Sequence, residues 1–476
     1  MQSNDLNSFN KPTKLTNKGT VVLDIGKTNV KLTLLDASGK ILAEQRCANT
    51  VVHGEPYSHH DTDRIWNWLL DTLQIFSHAA HILAIVPVTH GATAALVDDD
   101  GLVLPVMDYE SGLPQEFDQQ YELVRPLFSE TFSPNLAVGL NLGRQLFWLS
   151  RRYPAEFAQA RHILSYPQYW AWRLSGIAAS EITSLGCHTD LWQPVAGHYS
   201  SLVTRLGWEG LFPPMRDAWT ALGPLRGELV SRTGLPTDCQ ILCGIHDSNA
   251  SLLRYLAADG DAMPRSVLST GTWVIIAALG ASLDGLDERS DMLANVNALG
   301  DPVACMRFMG GREFSTIAGV DPKICSLGDL QHLINQNTLA LPCFAESGGP
   351  FSGQIGIVRG PVPKSDEERY ALATLYCVLM TDYCLDALKS AGAIMVEGSF
   401  TDNPYFSGLL GILRPQQAVS FSEDSSGTTC GGWMLQNWRS TPNIVDEPAT
   451  TPTTLLTELS GLAGYRDCWR ALLSRT

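Results

Sequence analysis

Two stretches of this chain share one plan, and that plan constrains the fold more than any other feature of the sequence. The first runs from Val21 to Asp36 (VVLDIGKTNVKLTLLD) and the second from Ser266 to Gly280 (SVLSTGTWVIIAALG). Each consists of an apolar strand, a short turn of Gly and polar residues, and a second apolar strand. Any hairpin needs such a turn, so this similarity alone is compatible both with a duplicated fold and with coincidence.

Strands and helices alternate over most of the remaining chain, which is typical of α/β layers. Apolar residues from Ile65 to Leu73 recur at helical spacing, and Asp61, Thr62 or Asp63 is placed to cap that helix. A buried strand, HILAIVPVTH, follows, and ATAALVDDDGLVLP then indicates a hairpin with its turn at residues 99–101. Together with the two similar stretches, this pattern predicts two α/β domains, each a mixed sheet flanked by helices, with a cleft between them.

The length of 476 residues allows two or three domains, each with its own core. Near Gly260 and Pro264 the sequence becomes polar, so we predict a first domain over residues 19–258 and a second over residues 259–476. Residues 1–18 are polar and lack the apolar centre of a signal peptide, so they are predicted to be a disordered lead-in.

Composition excludes several classes of partner. The net charge of −16 argues against binding to nucleic-acid backbones or anionic lipid, because both need a basic face. ATP stays compatible, because one or two cations, Mg²⁺ and backbone N–H groups can hold it. No run of about 18 apolar residues predicts a transmembrane helix. The 11 cysteines form no C-x-x-C pair, which favours reduced, mostly buried thiols in a cytoplasmic protein.

The turn of the first stretch carries Gly26, Lys27 and Thr28, and the strand before it ends in Asp24. Backbone N–H groups of a tight turn can point at anionic oxygens, and Lys27 and Thr28 add a charge and a hydroxyl. Asp24 is suited to a Mg²⁺ ion, which usually takes one or two carboxylates and keeps several waters. A second strand follows the turn, so neither the Walker pattern nor the dinucleotide fingerprint applies. An ordinary polar hairpin is the alternative.

The second turn and one carboxylate before it suggest a phosphate site and a base. Gly271 and Thr272 lie in a Ser-Thr-Gly-Thr turn that offers N–H and O–H donors but no cation. Asp247 stands roughly twenty residues upstream of this turn, after an apolar strand and at the start of a helix. It is interpreted either as a helix N-cap or as a general base, kept ionised by the helix N-terminus.

Other polar residues follow strands, where α/β folds place ligands. His90 ends a buried strand, and Asp108, Tyr109 and Glu110 follow another apolar run, where they could bind a polyol or cover a sheet edge. Gly-containing loops that could approach a nucleotide closely include Gly310, Gly311, Gly398, Ser399 and Asn403.

The order of these motifs resembles the FGGY family of carbohydrate kinases, whose members have actin-like (ribonuclease H-like) domains. DIGKTNVK is similar to the family's D-x-G-T-T phosphate turn, with Lys27 where Thr is commoner. HGAT from His90 is similar to a sugar-binding strand end, GIHDSNA to the catalytic G-x-x-D turn, and STGTW to the second phosphate turn. The adenosine loop matches only partly, because Glu397 stands at an expected Gly.

The resemblance implies roles for these residues. Asp247 would be the catalytic base, and His90 and Asp108 would bind the sugar. Asp24 would hold Mg²⁺, and ATP would be bound by Lys27, Thr28, Gly271, Thr272, Gly310, Gly311, Gly398, Ser399 and Asn403. One departure concerns the substrate: the family often has an Arg two residues after the sugar-binding Asp, and Glu110 stands there instead.

The sequence therefore predicts an ATP- and Mg²⁺-dependent kinase of a ketose such as L-rhamnulose, L-fuculose or xylulose. A kinase of glycerol or another polyol is the alternative within enzymes. An actin-like ATP-binding sensor without kinase activity is the alternative from another class, although such a sensor has no need of a base at Asp247. The expected partner is a small sugar, without nucleic acid or membrane, and a homodimer is compatible with the resemblance.

Overall fold

A computed structural model of the protein describes residues 17–256, 264–422, 427–438, 449–450 and 458–473 of the chain. The predicted boundary at residues 258 and 259 lies outside the described residues, so it stays a prediction. Most of the predicted lead-in, residues 1–16, lies outside them as well. The predicted lead-in is too long at its end, because Lys18 is the first residue of a strand.

The first lobe comprises the described residues up to 256. Its strands are β1 (Lys18–Ile25), β2 (Asn29–Asp36), β3 (Ile41–Ala48), β4 (Val51–Val52), β5 (His59–His60), β6 (His81–Thr89), β7 (Ala94–Val97), β8 (His162–Ser165), β9 (Trp192–Gln193), β10 (His198–Tyr199), β11 (Ala221–Pro224), β12 (Gln240–Leu242) and β13 (Ile245–His246). Its α-helices are α1 (Thr62–Phe76), α2 (Gln115–Glu122), α3 (Phe128–Thr131), α4 (Leu142–Arg152), α5 (Pro154–Phe157), α6 (Tyr166–Ser175), α7 (Ile182–Leu185), α8 (Ser201–Leu206), α9 (Gly227–Thr233) and α10 (Asp247–Leu252).

The second lobe comprises the described residues from 264 onward. Its strands are β14 (Arg265–Thr270), β15 (Val274–Leu279), β16 (Met292–Val296), β17 (Pro302–Phe308), β18 (Leu339–Leu341), β19 (Ile357–Arg359), β20 (Ala393–Gly398), β21 (Val419–Ser422) and β22 (Ala449–Thr450). Its α-helices are α11 (Gly310–Ala318), α12 (Leu327–Gln336), α13 (Asp366–Ala387), α14 (Phe406–Leu413), α15 (Gly427–Leu435) and α16 (Leu462–Leu473). Short 3₁₀ helices span Glu209–Leu211, Leu253–Tyr255, Glu288–Ser290 and Ser399–Asp402.

The two large sheets share one arrangement, so the predicted duplication is confirmed. In the first sheet the order is β11-β12-β6-β1-β2-β3, and β13 also pairs with β6. In the second sheet the order is β16-β17-β15-β14-β20-β21-β22. Each contains an antiparallel three-strand unit, β1-β2-β3 or β14-β15-β17. In each, a later strand, β6 or β20, joins the first strand of that unit in parallel.

The central strand β1 is apolar throughout because both of its faces are covered. Val21, Leu23 and Ile25 lie in one core cluster, whereas Val22 lies in another, as the two-residue period of a strand requires. Helix α1 covers the first of these faces, and the side chain of Asp61 caps it by accepting a hydrogen bond from the Arg64 N–H. The predicted helix and its cap are therefore confirmed.

The hairpin predicted for residues 92–105 forms only close to its turn. The Asp98 N–H donates to the Gly101 carbonyl at 3.0 Å, Val97 forms a bridge with Leu102, and the Val103 N–H donates to the Leu96 carbonyl at 3.0 Å. The strand partner along the full length of β7 is β8, which lies far away in sequence. A strand with two apolar faces pairs wherever its burial is greatest, and that choice is not local.

The two lobes meet through a shared apolar core. One cluster contains Val22 and Val86 of the first sheet together with Val267 and Leu293 of the second, and Trp433 of α15 joins it. Every one of the 11 cysteines is a free thiol, and most are buried, as predicted. In the described part of the chain no helix is both long and apolar enough to cross a bilayer.

Candidate active site

A cavity of about 360 Å³ lies between the two lobes. Its first-lobe wall includes Tyr109 and Asp247, and its second-lobe wall includes Ser269, Arg307 and Glu397. Of the predicted sugar-binding residues, Asp247 therefore lines the cavity directly. His90 and Asp108 lie one residue behind this wall, which is formed at those two points by Gly91 and Tyr109.

Asp247 is the first residue of α10 and follows β13 at the base of the cavity. Its Oδ1 accepts hydrogen bonds from the N–H of Ser248 at 2.5 Å and from the Ser248 hydroxyl at 3.2 Å. The side chain remains 30% exposed, so part of the carboxylate still faces the cavity. The arrangement leaves this carboxylate able to accept a proton from a ligand.

The prediction that the helix N-terminus keeps the pKa of Asp247 low is wrong. Burial raises the pKa of this carboxyl, and nearby His90 and the Ser248 hydrogen bonds offset only part of the rise. Helix α10 has six residues, so its dipole is weaker than the desolvation at the bottom of the cleft. A raised pKa makes the carboxylate a stronger base.

Two buried histidines flank Asp247. The Nε2 atom of His246 lies 3.3 Å from the Asp247 Oδ1, and burial lowers the pKa of His246 to about 4. Burial also lowers the pKa of His90. The Nε2 of His90 and the Nδ1 of His246 have no hydrogen-bond partner among the described residues. Both rings are therefore neutral at pH 7, and each has one buried ring nitrogen without a partner among the described residues.

A hydrogen-bonded chain that sequence reasoning missed supports the backbone before Asp247. Oε2 of Glu181 accepts from the N–H of Thr183 at 3.0 Å and from its hydroxyl at 2.6 Å. The Thr183 oxygen in turn accepts from the N–H of His246 at 3.1 Å. Burial raises the pKa of Glu181 to about 7. Only the short E-x-T spacing hints at this chain in the sequence.

The side chain of Asn49 stabilises the first turn, Gly26–Asn29. The N–H of Gly26 donates to the Asn29 carbonyl at 2.9 Å, and the Asn49 side chain donates to the Gly26 carbonyl at 2.8 Å. The N–H groups of Lys27 and Thr28 donate to no acceptor in the described ranges. Two backbone donors therefore stay open to an anion, as the phosphate prediction requires.

Asp24 lies beside a cation that sequence reasoning missed. Lys31 is its cross-strand partner, and the Lys31 Nζ lies 3.3 Å from the Asp24 Oδ2. Burial raises the pKa of Asp24 above its ordinary 3.8, Lys31 offsets part of that rise, and Asp247 adds to it. Asp24 and Asp247 thus influence one another across the site. A four-residue turn after Ile25 sets this register, so the pair was readable from the sequence.

Lys27 does not face an open phosphate site. Its ammonium forms an ion pair with Asp108, lies 3.3 Å from the Glu110 carboxylate and stands 4.9 Å above the centre of the Tyr109 ring. Thr28 remains exposed at the tip of the turn. The turn therefore contacts the segment predicted to bind sugar.

The second turn, Gly271–Trp273, is packed between two glycine-containing segments. The hydroxyl of Thr270 donates to the Glu397 carbonyl and accepts from the Phe400 N–H at 2.9 Å. A Cβ at Gly311 would collide with the Gly271 carbonyl, and a Cβ at Gly398, whose φ is +82°, would collide with the Thr270 carbonyl. These two predicted residues thus lie directly against the turn.

A second depression of about 460 Å³ lies on the other side of this turn. It is bounded by the predicted residues Gly271, Thr272, Gly311 and Ser399, and by two residues that were not predicted, Arg312 and Ser315. Arg312 is exposed and forms no ion pair with any described residue. The only sequence signal for this pair is their place in the first turns of a helix that begins at Gly310.

Two residues that were predicted to bind ATP, Asn403 and Gly310, contact other residues of the second lobe. The Asn403 side chain donates to the Thr374 hydroxyl at 2.9 Å and accepts from the Tyr405 N–H at 3.0 Å, so both ends of its amide are engaged. Gly310 lies against Val274 and Phe308 rather than on the depression. Their proposed contacts with ATP stay predictions.

Glu397, which departs from the family pattern, connects the lobes. Its carboxylate pairs with Arg254 and accepts a hydrogen bond from the Tyr255 hydroxyl, and both of those residues belong to the first lobe. Both charged side chains are largely buried. In this chain the position therefore carries an ion pair between the lobes at the edge of the cavity.

Within the described ranges, no three His, Cys, Asp or Glu side chains are grouped so as to hold a metal ion. A metal held entirely by protein side chains is therefore not built into this part of the chain. A cation held by one or two carboxylates together with ligand oxygens needs no such group.

Comparison with protein families matches both halves of the chain. The N-terminal domain of the FGGY family of carbohydrate kinases matches residues 20–253. The FGGY carbohydrate kinase C-terminal domain matches residues 262–443.

Individual relatives agree with this result. An L-fuculokinase of Salmonella typhi is 27% identical over 278 residues, which cover 56% of this chain and 57% of that enzyme. The chain thus spans little more than half the length of the curated relatives it matches. A carbohydrate kinase structure from Novosphingobium aromaticivorans is 36% identical, covers 97% of this chain and 100% of its own, and superposes with a TM-score of 0.88. The xylulose kinase structure from Rhodospirillum rubrum shares the fold at 17% identity, with a TM-score of 0.75 and coverage of 96% and 98%. These likenesses confirm the predicted pair of actin-like domains.

Proposed function

The chain belongs to the FGGY family of carbohydrate kinases, and we propose that it transfers the γ-phosphoryl group of ATP to a hydroxyl of a ketose. L-rhamnulose, L-fuculose and xylulose are the candidate substrates, and the likeness to an L-fuculokinase favours a 6-deoxyketose. The observation that carries the proposal is a base, Asp247, on the wall of a cavity enclosed by both lobes.

In the proposed reaction the sugar hydroxyl gives its proton to Asp247 as its oxygen bonds to the γ-phosphorus. The bond from that phosphorus to the bridging oxygen breaks, and ADP leaves. Burial raises the pKa of Asp247, so the proton is accepted by a stronger base than an ordinary aspartate. Neutral His90 and His246 leave its negative charge unpaired by a cation.

The two turns are proposed to hold the phosphates from opposite sides. The open N–H groups at Lys27 and Thr28 would donate to phosphate oxygens from the first lobe, and the N–H and hydroxyl of Thr272 from the second. The depression beside the second turn would receive the nucleoside. Arg312, whose guanidinium is exposed at its rim, would contact a phosphate or stack on the base.

The residues present fit a Mg²⁺ ion. Asp24 and Asp247 are hard oxygen donors. Burial is the main cause of the raised pKa of Asp24, and the like charge of Asp247, which a cation would relieve, adds to it. We propose that Asp24 holds the ion. Bound there, Mg²⁺ would neutralise charge on the phosphates of ATP.

A screen of ketopentoses, 6-deoxyketohexoses and linear polyols tests the proposal. Purified protein with Mg·ATP should release ADP in a sugar-dependent manner, fastest with one ketose, and the product should carry one phosphate by mass spectrometry. Asp247→Asn is the matched control, because it keeps the shape of the side chain and removes the base. Turnover of glycerol or another polyol alone would make the protein a polyol kinase. Slow ATP hydrolysis that no compound changes would favour the sensor.

A further inference from the structure

Two departures from the family pattern face each other in this structure. Lys27 stands where the resemblance expects Thr, and Glu110 stands where it expects Arg. The Lys27 ammonium lies 3.3 Å from the Glu110 carboxylate and forms its closest ion pair with Asp108. Lys27 therefore supplies Asp108 with the positive charge that Glu110 does not.

The ion pair between Lys27 and Asp108 is largely buried, so the loss of one partner would be strongly unfavourable. The Asp108 side chain is 8% exposed and the Lys27 side chain 19%, whereas Glu110 is 61% exposed. A buried carboxylate without a partner is strongly disfavoured, so Asp108 depends on Lys27 far more than Glu110 does. The same Oδ1 of Asp108 also accepts the N–H of Glu110 at 3.2 Å, which fixes the turn that follows.

The turn after Asp108 contributes Tyr109 to the cavity wall. Tyr109 lies between the two acidic residues, lines the cavity beside Asp247 and receives Lys27 over its ring. The His90 ring packs edge-on against Tyr109, with the ring centres 5.5 Å apart. The position of this wall is thus tied to Lys27 through both Asp108 and Tyr109.

We propose that Lys27 is a positioning residue for the sugar, which acts through Asp108 to hold Tyr109 in place as a wall of the sugar site. In this assignment the Lys27 ammonium pairs with Asp108, and the first turn binds phosphate through its backbone N–H groups. The inference rests on the proposed kinase function and sharpens it. It replaces the expectation that the Lys27 side chain binds ATP.

The test begins with steady-state kinetics of three variants on a sugar that the natural protein phosphorylates. Lys27→Thr should raise the KM for the sugar by about tenfold or more, because one partner leaves a buried pair. The KM for ATP should stay within about twofold, because the backbone donors remain. Lys27→Arg should keep most of the sugar affinity, and Glu110→Gln should change either KM by no more than about twofold, because that exposed partner contributes little.

A double variant tests the compensation itself. Lys27→Thr with Glu110→Arg returns both positions to the family pattern and supplies a cation to Asp108 from residue 110 instead of residue 27. It should recover at least part of the sugar affinity lost in Lys27→Thr alone. A KM for ATP that rises while the KM for sugar does not, an equal rise in both, or a double variant no better than Lys27→Thr would overturn the assignment.

A second readout does not depend on turnover. Hydrogen exchange of a peptide covering residues 107–112 should be faster in Lys27→Thr than in the natural protein and slower again in the double variant, because the Glu110 N–H is bonded to Asp108. Unchanged exchange would also overturn the assignment. If the natural protein phosphorylates no compound in the screen, the proposed function fails, and the exchange measurement still decides the role of Lys27.

Discussion

The first turn, Gly26–Asn29, and the second, Gly271–Trp273, occupy equivalent places in equivalent sheets, yet they differ in charge. Each turn begins with a Gly whose N–H donates back across the turn at 2.9 Å, and each leaves later N–H groups open among the described residues. The first turn and its flanking strands carry Asp24, Lys27 and Lys31, whereas the second turn carries no charged residue.

This difference in charge indicates that the two turns have different roles. The open N–H groups of both turns suit the same kind of ligand, a phosphate oxygen, although four residues separate the paired strand ends in the first turn and three in the second. The side chains differ: the first turn lies between the proposed metal ligand, Asp24, and the proposed sugar wall at Tyr109, and the second is packed between Gly311 and Gly398. Four predictions test this comparison.

The largest expected effect comes from a residue that belongs to neither turn. If the turns only hold phosphates, Asp247→Asn should lower kcat by about 10²-fold or more, the usual contribution of a general base. Binding of ADP, measured by calorimetry, should be nearly unchanged. A kcat within about twofold of the natural protein would show that one of the turns, rather than Asp247, supplies the missing chemistry.

The second prediction contrasts a crowded glycine with an open one. Gly311→Ala should raise the KM for ATP by at least about fivefold, since overpacking costs about 1–3 kcal/mol and here displaces the second turn. Gly26→Ala should have a smaller effect, because a Cβ there meets only the Asn29 carbonyl, at 3.3 Å. Gly464→Ala, with nothing within 4 Å, is the control for a harmless change. If Gly311→Ala and Gly26→Ala raised the KM for ATP equally, the two turns would not differ in how tightly they are packed.

The third prediction concerns the uncharged turn. Thr272→Val keeps the shape of the side chain and removes its hydroxyl, so kcat should fall about two- to tenfold, the worth of one hydrogen bond. The KM for ATP should change less, if the hydroxyl acts mainly on the moving phosphoryl group. Stopped-flow measurement of ADP formation separates the two. An unchanged rate of the chemical step would leave only backbone donors at this turn.

The smallest expected effect is a difference between the two turns in how nucleotide binding depends on pH. Because the pKa of Asp24 is raised above 3.8, its charge is lost on acidification earlier than that of an ordinary aspartate. Affinity for Mg·ADP should therefore weaken as the pH falls through that raised value. Asp24→Asn should flatten this dependence, whereas Thr272→Val should preserve it. Calorimetry over a pH series that runs from neutral toward acid measures the slope, and a slope that Asp24→Asn leaves intact would assign it to another group.

The sequence predicted the parts of this molecule that local pattern determines. The two strand-turn-strand units, the cap at Asp61 and the placement of Asp247 at the start of a helix all follow from residues close together in the chain. The relation between Asp24 and Lys31 is also local, since a four-residue turn sets the register, and it was overlooked.

The remaining features depend on contacts between distant segments. Lys27 and Asp108 are separated by 81 positions, and their pairing follows from how β1 and the segment after β7 pack together. Arg312 reaches a depression only because α11 starts against the second turn. The raised pKa of Asp247 reflects burial in the folded protein, which no local pattern records.

The apolar cluster shared by the two lobes has a consequence for how the protein unfolds. Val22 and Val86 pack in one core with Val267, Leu293 and Trp433, so separating the halves would expose apolar surface on each. Each lobe also has a core cluster of its own, so the shared cluster couples the unfolding of two units. A protease cut between the halves should therefore leave the fragments associated.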